Sequence, residues 1–481
     1  MHWPIIFHNK QLKQSLALIV IFKSFKKINM KKLSFYFLFL SISITSFAKN
    51  NADTINAGLK LPAGFSATKI SEGLGRARHI VVSQQGTIFY KSSKLVNGKG
   101  IFQLKNLNGK AELITSFGKY IGTGIAIRNG YLYASSDEEV FRYKLNEKDE
   151  VLNPDQPEKI ITGLINRHQH ESKSIAFDND GNIYVNIGAY ANACQEKDRT
   201  LHSKGRMPCP VLDSAGGIWQ FKADKLNQTY ADGIRYATGL RNVVGLDWNA
   251  QTNSLFVMQH GRDQLHDNWP EFYDTKQSAE LPAETMYELH RGSNCGWPFI
   301  YYDPMQHKKM LAPEYGGDGK KSWDEYLNEN KNGGLVIVNY KYNQDKTSLI
   351  NDMDYARKAY DKTIQDPAIA FPAHMGPNAL LFYTGNQFPE KYKNGAFIAF
   401  HGSWNRAPEL QKGYFVVFVP FKNGKPTGEW EIFADNFAGG DQFMEPNKAQ
   451  HRPCGLAQGP DGSLYVSDDV KGAVYKISYK K

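Results

Sequence analysis

Histidines and arginines recur at the ends of short apolar segments along this chain, and both residue types can do chemistry on a bound alcohol or anion. An imidazole titrates near neutral pH and suits proton transfer, while a guanidinium binds planar carboxylates through two parallel hydrogen bonds. A pocket that gathered both would be positively charged and would contain candidate bases. The residues of this kind, with the polar residues beside them, are Arg76, Arg78, His79, Arg167, His168, His170, Arg241, Asn242, His260, Gly261, Arg262, Asp263, His374, Asn378, His401, Trp404, Asn405, Arg406, His451, Arg452, Asp468 and Asp469.

Each of these residues alone also has an ordinary structural explanation. A single histidine near a strand end is more often a packed or solvated residue than a catalyst, and an arginine there usually pairs with a carboxylate. The set becomes a candidate site only if the fold brings the segment ends to one place.

A short pattern that recurs six times along the chain supplies elements of that kind. Each copy is an apolar strand, a turn and a second apolar strand, and Asn-Gly or Asp-Gly in several copies allows the positive φ that tight hairpin turns need. A hairpin returns the chain to the side where it began, so residues before its first strand and after its second lie on one face. The copies are His79–Tyr90, Gly124–Tyr133, Ser174–Val185, Val244–Trp248 with Ser254–Val257, Ala379–Tyr383 with Gly395–Ile398, and Gly455–Val466.

Six hairpins of one type, each with room for two further strands, predict an all-β fold, a six-bladed β-propeller with long loop insertions on one face. The alternatives are a large β-sandwich or two stacked barrels, which the regular recurrence of one hairpin does not favour. The longest gap between copies, residues 262–375, must hold insertions. Helical periodicity is scarce outside short stretches such as Lys321–Lys331.

The N-terminal residues have the pattern of a targeting segment. From Met30 the chain reads Met-Lys-Lys, then an apolar run to Phe47, with small residues at Ser46 and Ala48. This is the pattern of a secretory signal peptide, and the run is shorter than the roughly 20 residues that a membrane-spanning helix needs. We therefore assign residues 1–48 to an N-terminal extension and signal peptide, with Met30 as the true start, and residues 49–481 to a single propeller domain. The expected location is periplasmic or extracellular, and no later segment is long and apolar enough to span a membrane.

The net charge of +10 does not point to nucleic acid. Residues 1–48 hold seven lysines and no acidic residue, which leaves 51 basic against 48 acidic residues in the rest of the chain. No basic stripe stands out there, so we expect no nucleic-acid partner.

Export permits disulfide bonds, and the chain has four cysteines. Cys194 and Cys209 flank one polar, loop-like stretch, which favours a bridge between them over two free thiols. Cys295 and Cys454 lie in different repeats, and we leave them unpaired. No Cys-x-x-Cys-His motif occurs, so the chain carries no c-type haem of its own.

Seven short motifs at the strand ends make the chain similar to the glucose/sorbosone dehydrogenase family. Members of that family are six-bladed propellers that hold pyrroloquinoline quinone (PQQ) and Ca²⁺ at the channel mouth. The resemblance covers about residues 58–479 and is closer to the sorbosone or pyranose dehydrogenase-like branch than to the soluble glucose dehydrogenases. The motifs are His170-Glu-Ser-Lys-Ser-Ile-Ala-Phe177, Gly239-Leu-Arg-Asn242, His260-Gly-Arg-Asp-Gln-Leu265, Gly296-Trp-Pro298, Phe371-Pro-Ala-His374, His401-Gly-Ser-Trp-Asn-Arg406 and Arg452-Pro-Cys-Gly-Leu-Ala457.

The resemblance implies roles for individual positions. His170 matches the general base that takes the proton of the sugar hydroxyl as hydride leaves the same carbon for the quinone. Arg241 matches the arginine that polarises the quinone oxygen, and the backbone carbonyls of Gly261 and Arg262 match calcium ligands. The positions that match cofactor contacts are Gln169, Arg241, Asn242, Arg406 and Arg452.

The chain also departs from the family pattern. Ala189 stands where an aspartate orients the base, Gln169 where an aspartate contacts the cofactor, and Cys454 where a second arginine belongs to the pocket. A glutamine that the second blade contributes in the family has no clear match. The departures fit either a different partner for His170 or weakened catalysis.

The resemblance therefore implies a PQQ- and calcium-dependent sugar dehydrogenase. It would oxidise a sugar, or a related alcohol or aldehyde hydrate, to a lactone or acid and pass electrons to a separate exported cytochrome or quinone. A lactonase-type propeller hydrolase is one alternative, although such enzymes use acidic and asparagine metal ligands where this chain has arginine and histidine. A noncatalytic carbohydrate-binding propeller is the other, in which Trp297 and Trp404 would stack on sugars unless they simply pack between blades.

Overall fold

The computed structural model of the protein describes residues 55–107, 109–329, 341–342, 349–350 and 364–480. These residues belong to one compact unit, Asp53–Lys481. The predicted signal peptide, its start at Met30 and the boundary after residue 48 lie outside the described residues.

Six antiparallel sheets of four strands form the body of the protein, and we number them as blades along the chain. The first strand, β1 (Phe65–Ser71), belongs to the last blade. Blade 1 contains β2 (Ala77–Val82), β3 (Thr87–Val96), β4 (Lys99–Leu107) and β5 (Lys110–Phe117), and blade 2 contains β6 (Ile125–Arg128), β7 (Tyr131–Ser135), β8 (Val140–Lys144) and β9 (Glu158–Thr162). Blade 3 contains β10 (Ile175–Phe177), β11 (Asn182–Ile187), β12 (Gly217–Lys222) and β14 (Ile234–Thr238), and blade 4 contains β15 (Val243–Asn249), β16 (Ser254–Gln259), β17 (Glu284–Leu289) and β23 (Ile369–Phe371). Blade 5 contains β24 (Pro377–Phe382), β25 (Ala396–Phe400), β26 (Phe415–Val419) and β29 (Glu431–Ala434), and blade 6 contains β30 (Pro453–Gln458), β31 (Leu464–Asp468), β32 (Val474–Tyr479) and β1.

Short elements decorate this body. Two add a parallel strand to a blade, β13 (Gln228–Thr229) beside β9 and β18 (Ser293–Asn294) beside β14. The other strands form two-stranded ribbons: β19 (Ile300–Asp303) with β20 (Lys308–Leu311), β21 (Lys341–Tyr342) with β22 (Leu349–Ile350), and β27 (Phe421–Lys422) with β28 (Lys425–Pro426). The α-helices are α1 (Leu265–Asn268), α2 (Thr275–Glu280) and α3 (Trp323–Glu329), and the 3₁₀ turns are Ile55–Gly58, Pro210–Asp213, Tyr230–Asp232, Pro313–Tyr315, Glu390–Tyr392 and Asp441–Phe443. Among the described residues, no helix has both the length and the apolar character needed to cross a membrane.

The predicted hairpins are the first two strands of the six blades. Their first strands pack against one another in a ring around a central channel, in the order β2, β6, β10, β15, β24 and β30. Each sheet is covered on both faces by its neighbours, which is why an inner strand such as β11 is buried at every position. Gly181 turns β10 into β11 with a φ of 81°, as the Asp-Gly pattern predicts. The predicted six-bladed propeller is confirmed.

Strand β1 closes the ring. It pairs antiparallel with β32, with Phe65 opposite Tyr479, so that the last blade combines both ends of the described chain. Phe65 also packs edge-on against Phe388 and Phe433 of blade 5. Strand β1 therefore completes blade 6 and also packs that blade against blade 5.

The face where each first strand begins and each second strand ends is called the entrance face below. Loops 188–216 and 262–283 leave blades 3 and 4 on this face. Residues 290–368, between β17 and β23, form a further insertion. Glu314 in this insertion makes an ion pair with Arg262 at 2.5 Å. This part of the predicted insertion 262–375 therefore also covers the entrance face. Cys194 and Cys209 form a disulfide within the first loop, as expected, and Cys295 and Cys454 are free and buried.

Candidate active site

His170 lies before β10 on the entrance face, in the left-handed backbone region with a φ of 52°. Its Nδ1 lies 2.5 Å from the backbone carbonyl oxygen of Ala189. A carbonyl only accepts, so Nδ1 carries the proton and the lone pair of the neutral ring lies on Nε2. Desolvation, followed by the positive charge of Arg241, lowers the pKa of His170 to about 3. The ring is therefore neutral at pH 7 and can accept a proton at Nε2.

Asp263, in the loop that follows β16, is the charged centre of one half of the site. Its Oδ2 accepts hydrogen bonds from Arg241 at 2.8 Å and from Arg199 at 3.0 Å. Its Oδ1 accepts one from Asn405 at 2.6 Å. Burial alone would raise the pKa of the Asp263 carboxyl, but the surrounding positive charges, Arg241 first, hold it well below its usual range. The carboxylate stays ionised and anchors both guanidinium groups.

Arg241 is 3% exposed and is held on three sides. Besides Asp263, it donates from Nε to the carbonyl of Asn192 at 3.2 Å and from Nη1 to the carbonyl of Gly261 at 2.9 Å. The Asn192 side chain also bonds the backbone of Asp263, donating to its carbonyl and accepting from its N–H, each at 2.9 Å. Loop 188–216 thus fixes the cation before any ligand binds.

Asp469, directly after β31, gathers the charged groups of the opposite half. Its Oδ1 lies 2.7 Å from Nε2 of His401, and its Oδ2 accepts a hydrogen bond from Arg78 at 3.3 Å. Arg452 donates to the carbonyl of His401 at 3.1 Å. Burial would raise the pKa of Asp469, but His401, Arg78 and Arg452 hold it well below its usual range. This half therefore presents two guanidinium groups around one carboxylate.

His79 and His260 are two further imidazoles of the channel. Their Nε2 atoms lie near carbonyl oxygens of β24, at 2.7 Å for His79 and 3.2 Å for His260. Desolvation in the channel is the main reason that the pKa of each is lowered to about 4. Arg241 and Arg78 both add to the shift of His260, so the cations of the two halves act on one channel. The imidazoles of His79, His260 and His170 are therefore all neutral at pH 7.

Three buried polar atoms around the channel mouth have no hydrogen-bond partner in the part of the chain that the structure describes. They are Oδ1 of Asn242, Nε of Arg78 and Oδ1 of Asn405. Gly188 lies beside the first of them: a Cβ there would come within 2.7 Å of the His170 Cβ and 3.0 Å of Asn242 Oδ1. A buried polar group without a partner costs about 1–3 kcal/mol. These atoms therefore mark a place where a ligand would complete the hydrogen bonding.

The two predicted calcium ligands lie next to Asp263, but their surroundings are cationic. The carbonyl of Gly261 already accepts a hydrogen bond from Arg241, and its N–H donates to Glu284 at 2.9 Å. The side chain of Arg262 leaves the mouth for its ion pair with Glu314. The calcium site stays a prediction.

The predicted cofactor contacts are only partly brought together. Arg241 and Asn242 lie beside His170, and Arg452 lies in the opposite half with Asp469. Arg406 is 3% exposed and donates to the carbonyls of Ala373 at 3.1 Å and Leu410 at 2.8 Å and to Glu280 at 2.5 Å. Gln169 is half-buried beside His170. The contacts of Arg406 tie loops together, and its cofactor role stays a prediction, as does that of Gln169.

Sequence reasoning did not assign roles to several residues of this site. Asp263 follows Gly261 and Arg262 directly in a quoted motif, so its place beside the pocket was visible although its partners were not. Asn192 and Arg199 lie in an insertion that shows no pattern. The partner of His170 is a backbone carbonyl, which every residue has.

Comparison with known proteins places the chain in a family. A model of the TrAA12-like family matches residues 59–480. The chain belongs to the TrAA12-like family. The pyrroloquinoline quinone-dependent sugar dehydrogenase of Hypocrea jecorina is 22% identical over 461 residues, which cover 92% of this chain and 94% of that protein.

Solved structures related to this TrAA12-like chain have the same fold. The iodide structure of a Trichoderma reesei carbohydrate-active enzyme of family AA12 has a TM-score of 0.65 at 19% identity, covering 88% of this chain and 98% of that one. The holo form of the PQQ domain of pyranose dehydrogenase from Coprinopsis cinerea has a TM-score of 0.61 at 20% identity, covering 87% and 97%. The resemblance predicted from the motifs is confirmed.

Proposed function

We propose that this chain is a PQQ-dependent dehydrogenase that oxidises a sugar, or a related alcohol or aldehyde hydrate, to a lactone or acid. The observation that carries the proposal is the neutral His170, with Nδ1 committed to Ala189 and Arg241 close enough to lower its pKa. A base beside a fixed cation suits oxidation of an alcohol, because the hydroxyl proton and a hydride must leave the same centre. Relatives named as PQQ-dependent sugar and pyranose dehydrogenases support the same activity.

The residues at the mouth fit a planar anionic cofactor such as PQQ. Arg78 and Arg452 would hold its carboxylates, Arg241 would polarise its quinone oxygen, and the unpartnered Arg78 Nε and Asn242 Oδ1 offer a donor and an acceptor. Gly188, which has no side chain, allows His170 and Asn242 to pack closely against the end of β11. When bound, PQQ would accept the hydride from the substrate carbon.

The protein's own part in the reaction is to move a proton and to fix charge. Nε2 of His170 takes the hydroxyl proton, while the Ala189 carbonyl keeps the ring in one tautomer and orientation. The Asp263 carboxylate favours the imidazolium that results. Arg241, held by Asp263 and two backbone carbonyls, presents its positive charge without having to reorganise.

Calcium belongs to the proposal only as an expectation from the resemblance. Ca²⁺ prefers about six to eight oxygen ligands, carboxylates among them. Here the Gly261 carbonyl is taken by Arg241, and the adjacent Asp263 carboxylate is neutralised by Arg241 and Arg199. These residues do not by themselves form a calcium site, and no step above uses a metal ion.

The electrons would pass to a separate acceptor, an exported cytochrome or a quinone. We propose that the protein works in the periplasm or outside the cell. The disulfide between Cys194 and Cys209 supports an oxidising compartment.

Calorimetric titration of the purified full chain with PQQ, with and without Ca²⁺, tests the proposal. We expect saturable binding, followed by sugar oxidation when an artificial electron acceptor is added. Binding that is unchanged without Ca²⁺ would remove calcium from the proposal, and binding only with Ca²⁺ would establish it.

An absence of PQQ binding at high micromolar concentration would overturn the dehydrogenase proposal. The chain would then be treated as a lactonase-type hydrolase or a carbohydrate-binding propeller. Assays for lactone hydrolysis and for sugar binding without turnover separate those two.

A further inference from the structure

A second cavity, of about 760 Å³, opens between loop 403–411 after β25 and loop 441–447 after β29. Both loops follow strands that end at the entrance face. The first loop contributes Trp404, Pro408 and Leu410, and the second contributes Asp441 and Met444. We call this cavity the Trp404 groove. Its volume falls in the range of about 300–1,000 Å³ that is usual for small-ligand sites.

Trp404 is 60% exposed, and Leu410 beside it is 85% exposed. Of the tryptophans that the structure describes, Trp404 alone is mainly in contact with solvent. The two side chains form one apolar patch with polar residues around it, which is a feature of ligand-binding grooves.

The polar residues that line the groove are acidic or neutral. Glu409, Asp441 and Glu445 supply carboxylates, of which Glu445 is paired with Lys448 at 3.0 Å, and Gln442 and Asn447 supply amides. A flat ring packs on the C–H face of a sugar, while carboxylates and amides bond its hydroxyls. The carboxylates of Glu409 and Asp441 disfavour an anionic sugar, so a neutral carbohydrate is the fitting ligand.

The loop that carries Trp404 is bonded to the candidate active site at both of its ends. Asn405, the residue after Trp404, donates to the Asp263 carboxylate at 2.6 Å. At the other end of the same loop, the carbonyl of His401 accepts from Arg452 at 3.1 Å. The loop that carries Trp404 therefore contacts both halves of the site.

From this geometry we propose that the Trp404 groove binds a neutral oligosaccharide whose terminal sugar reaches His170. The substrate is then the end of a chain of sugars rather than a free monosaccharide. This inference rests on the proposed function for its catalytic part, but binding in the groove can be measured without the cofactor.

Binding of α-1,4- and β-1,4-linked glucose oligomers of one to six units to the cofactor-free full chain tests the proposal. Tryptophan fluorescence and calorimetry would both report it. At least one series should bind with an affinity that rises tenfold or more from one to four units. Galacturonate oligomers of equal length should bind at least tenfold more weakly.

Trp404→Ala should lower the affinity for the tetramer at least tenfold and that for the monosaccharide less than twofold, and Trp404→Phe should restore part of the loss. With PQQ and an acceptor present, Trp404→Ala should raise KM for the tetramer and leave kcat within twofold. Leu152→Ala, which removes a 55% exposed side chain outside the groove, is the matched control and should change neither value.

An affinity independent of chain length, or one unchanged in Trp404→Ala, would overturn the proposal. The proposal would also be overturned if the groove bound a basic cytochrome, and no oligosaccharide, and if Trp404→Ala abolished the binding of the cytochrome. PQQ binding without oligomer binding would remove the groove proposal alone, whereas oligomer binding without PQQ binding would support the groove and remove the dehydrogenase.

Discussion

The hydrogen bond from His170 Nδ1 to the Ala189 carbonyl sets the tautomer of the ring, and desolvation keeps the ring neutral. His170→Ala should therefore lower sugar oxidation by about 10²–10⁴-fold, the usual size of a general-base contribution. Its affinity for PQQ should stay within threefold. Steady-state turnover with an artificial acceptor and a PQQ titration give the two numbers.

His168→Ala is the control for this prediction. His168 lies two residues before the base, shares its left-handed backbone conformation and has a side chain 87% exposed. The control should keep full activity. If His170→Ala retained more than a tenth of the activity, another group would have to take the proton.

Arg78 is placed to bind the cofactor, because its Nε is buried without a partner among the described residues while its Nη1 donates to Asp469. It acts electrostatically on Cys454, which stands where the family has a second pocket arginine. Arg78→Ala should weaken PQQ binding about tenfold to a hundredfold, as for a lost charged hydrogen bond of about 1.5–3 kcal/mol. Calorimetry measures this directly. Arg76→Ala, an exposed arginine two residues earlier, should bind PQQ as the natural chain does, and equal affinities for both variants would refute the role of Arg78.

Single residues also show where sequence reasoning stops. His170 and Arg241 were predictable because their side chains stand in recognisable motifs. The role of Ala189 in orienting His170 was not predictable, because the contact is made by the backbone carbonyl of Ala189 and the position of that carbonyl depends on the folded loop. Arg78 was visible as an arginine, but its proximity to Cys454 joins blade 1 to blade 6 across the closed ring.

At the scale of elements, the end of β11 sets the distance between the base and its neighbours. A Cβ on Gly188 would lie 2.7 Å from both the Cβ and the carbonyl oxygen of His170. Gly188→Ala should push His170 away and lower kcat/KM at least about tenfold, since a displacement near 1 Å can cost a hundredfold. Steady-state kinetics and a thermal melt would be compared.

Gly163→Ala separates this displacement from a general loss of stability. Gly163 has a φ of 67°, and a Cβ added there would point into open space, so its substitution strains the backbone without touching the site. It should lower the melting temperature and leave kcat/KM unchanged. A Gly188→Ala variant with full activity would show that the wall beside His170 tolerates a methyl group.

The hairpins were predictable as elements because their turn residues and apolar strands are local signals. For the other two strands of each blade, the sequence predicted only that enough residues were present to form them, and not where they begin and end. The insertions were predictable in position but not in structure: the buried contact between Arg262 and Glu314 joins residues 52 positions apart. Such pairings depend on the ring that brings the loops together.

At the scale of the whole molecule, burying neutral imidazoles couples stability to pH. The pKa is lowered to about 3 for His170 and to about 4 for His79 and His260, whereas in the unfolded chain each imidazole has a pKa of about 6.5. Between about pH 4 and 6.5 the unfolded state binds more protons, so stability falls as pH falls. Asp263 and Asp469, whose pKa values are held low, add a loss of the same sign at lower pH.

The melting temperature should therefore drop by at least about 5 °C from pH 7 to pH 4.5. Differential scanning calorimetry across this range measures it. His260→Gln should flatten the dependence, and His168→Ala should not. A melting temperature that is constant or rises toward pH 4.5 would mean that these imidazoles are protonated in the folded protein.

Ring closure is the other property of the whole molecule, and Phe65 on β1 is its apolar anchor. Its ring lies 4.8 Å from that of Phe388 and 4.9 Å from those of Phe433 and Tyr479. Phe65→Ala removes these contacts where blades 5 and 6 meet, so the free energy of unfolding should fall by about 3–5 kcal/mol. Urea unfolding measures it, and Ile114→Ala, which truncates a 52% exposed side chain on β5, should change it by less than about 0.5 kcal/mol. Equal effects of the two substitutions would mean that the Phe65 contacts do not stabilise the closed ring, and that the backbone pairing of β1 with β32 is sufficient to close it.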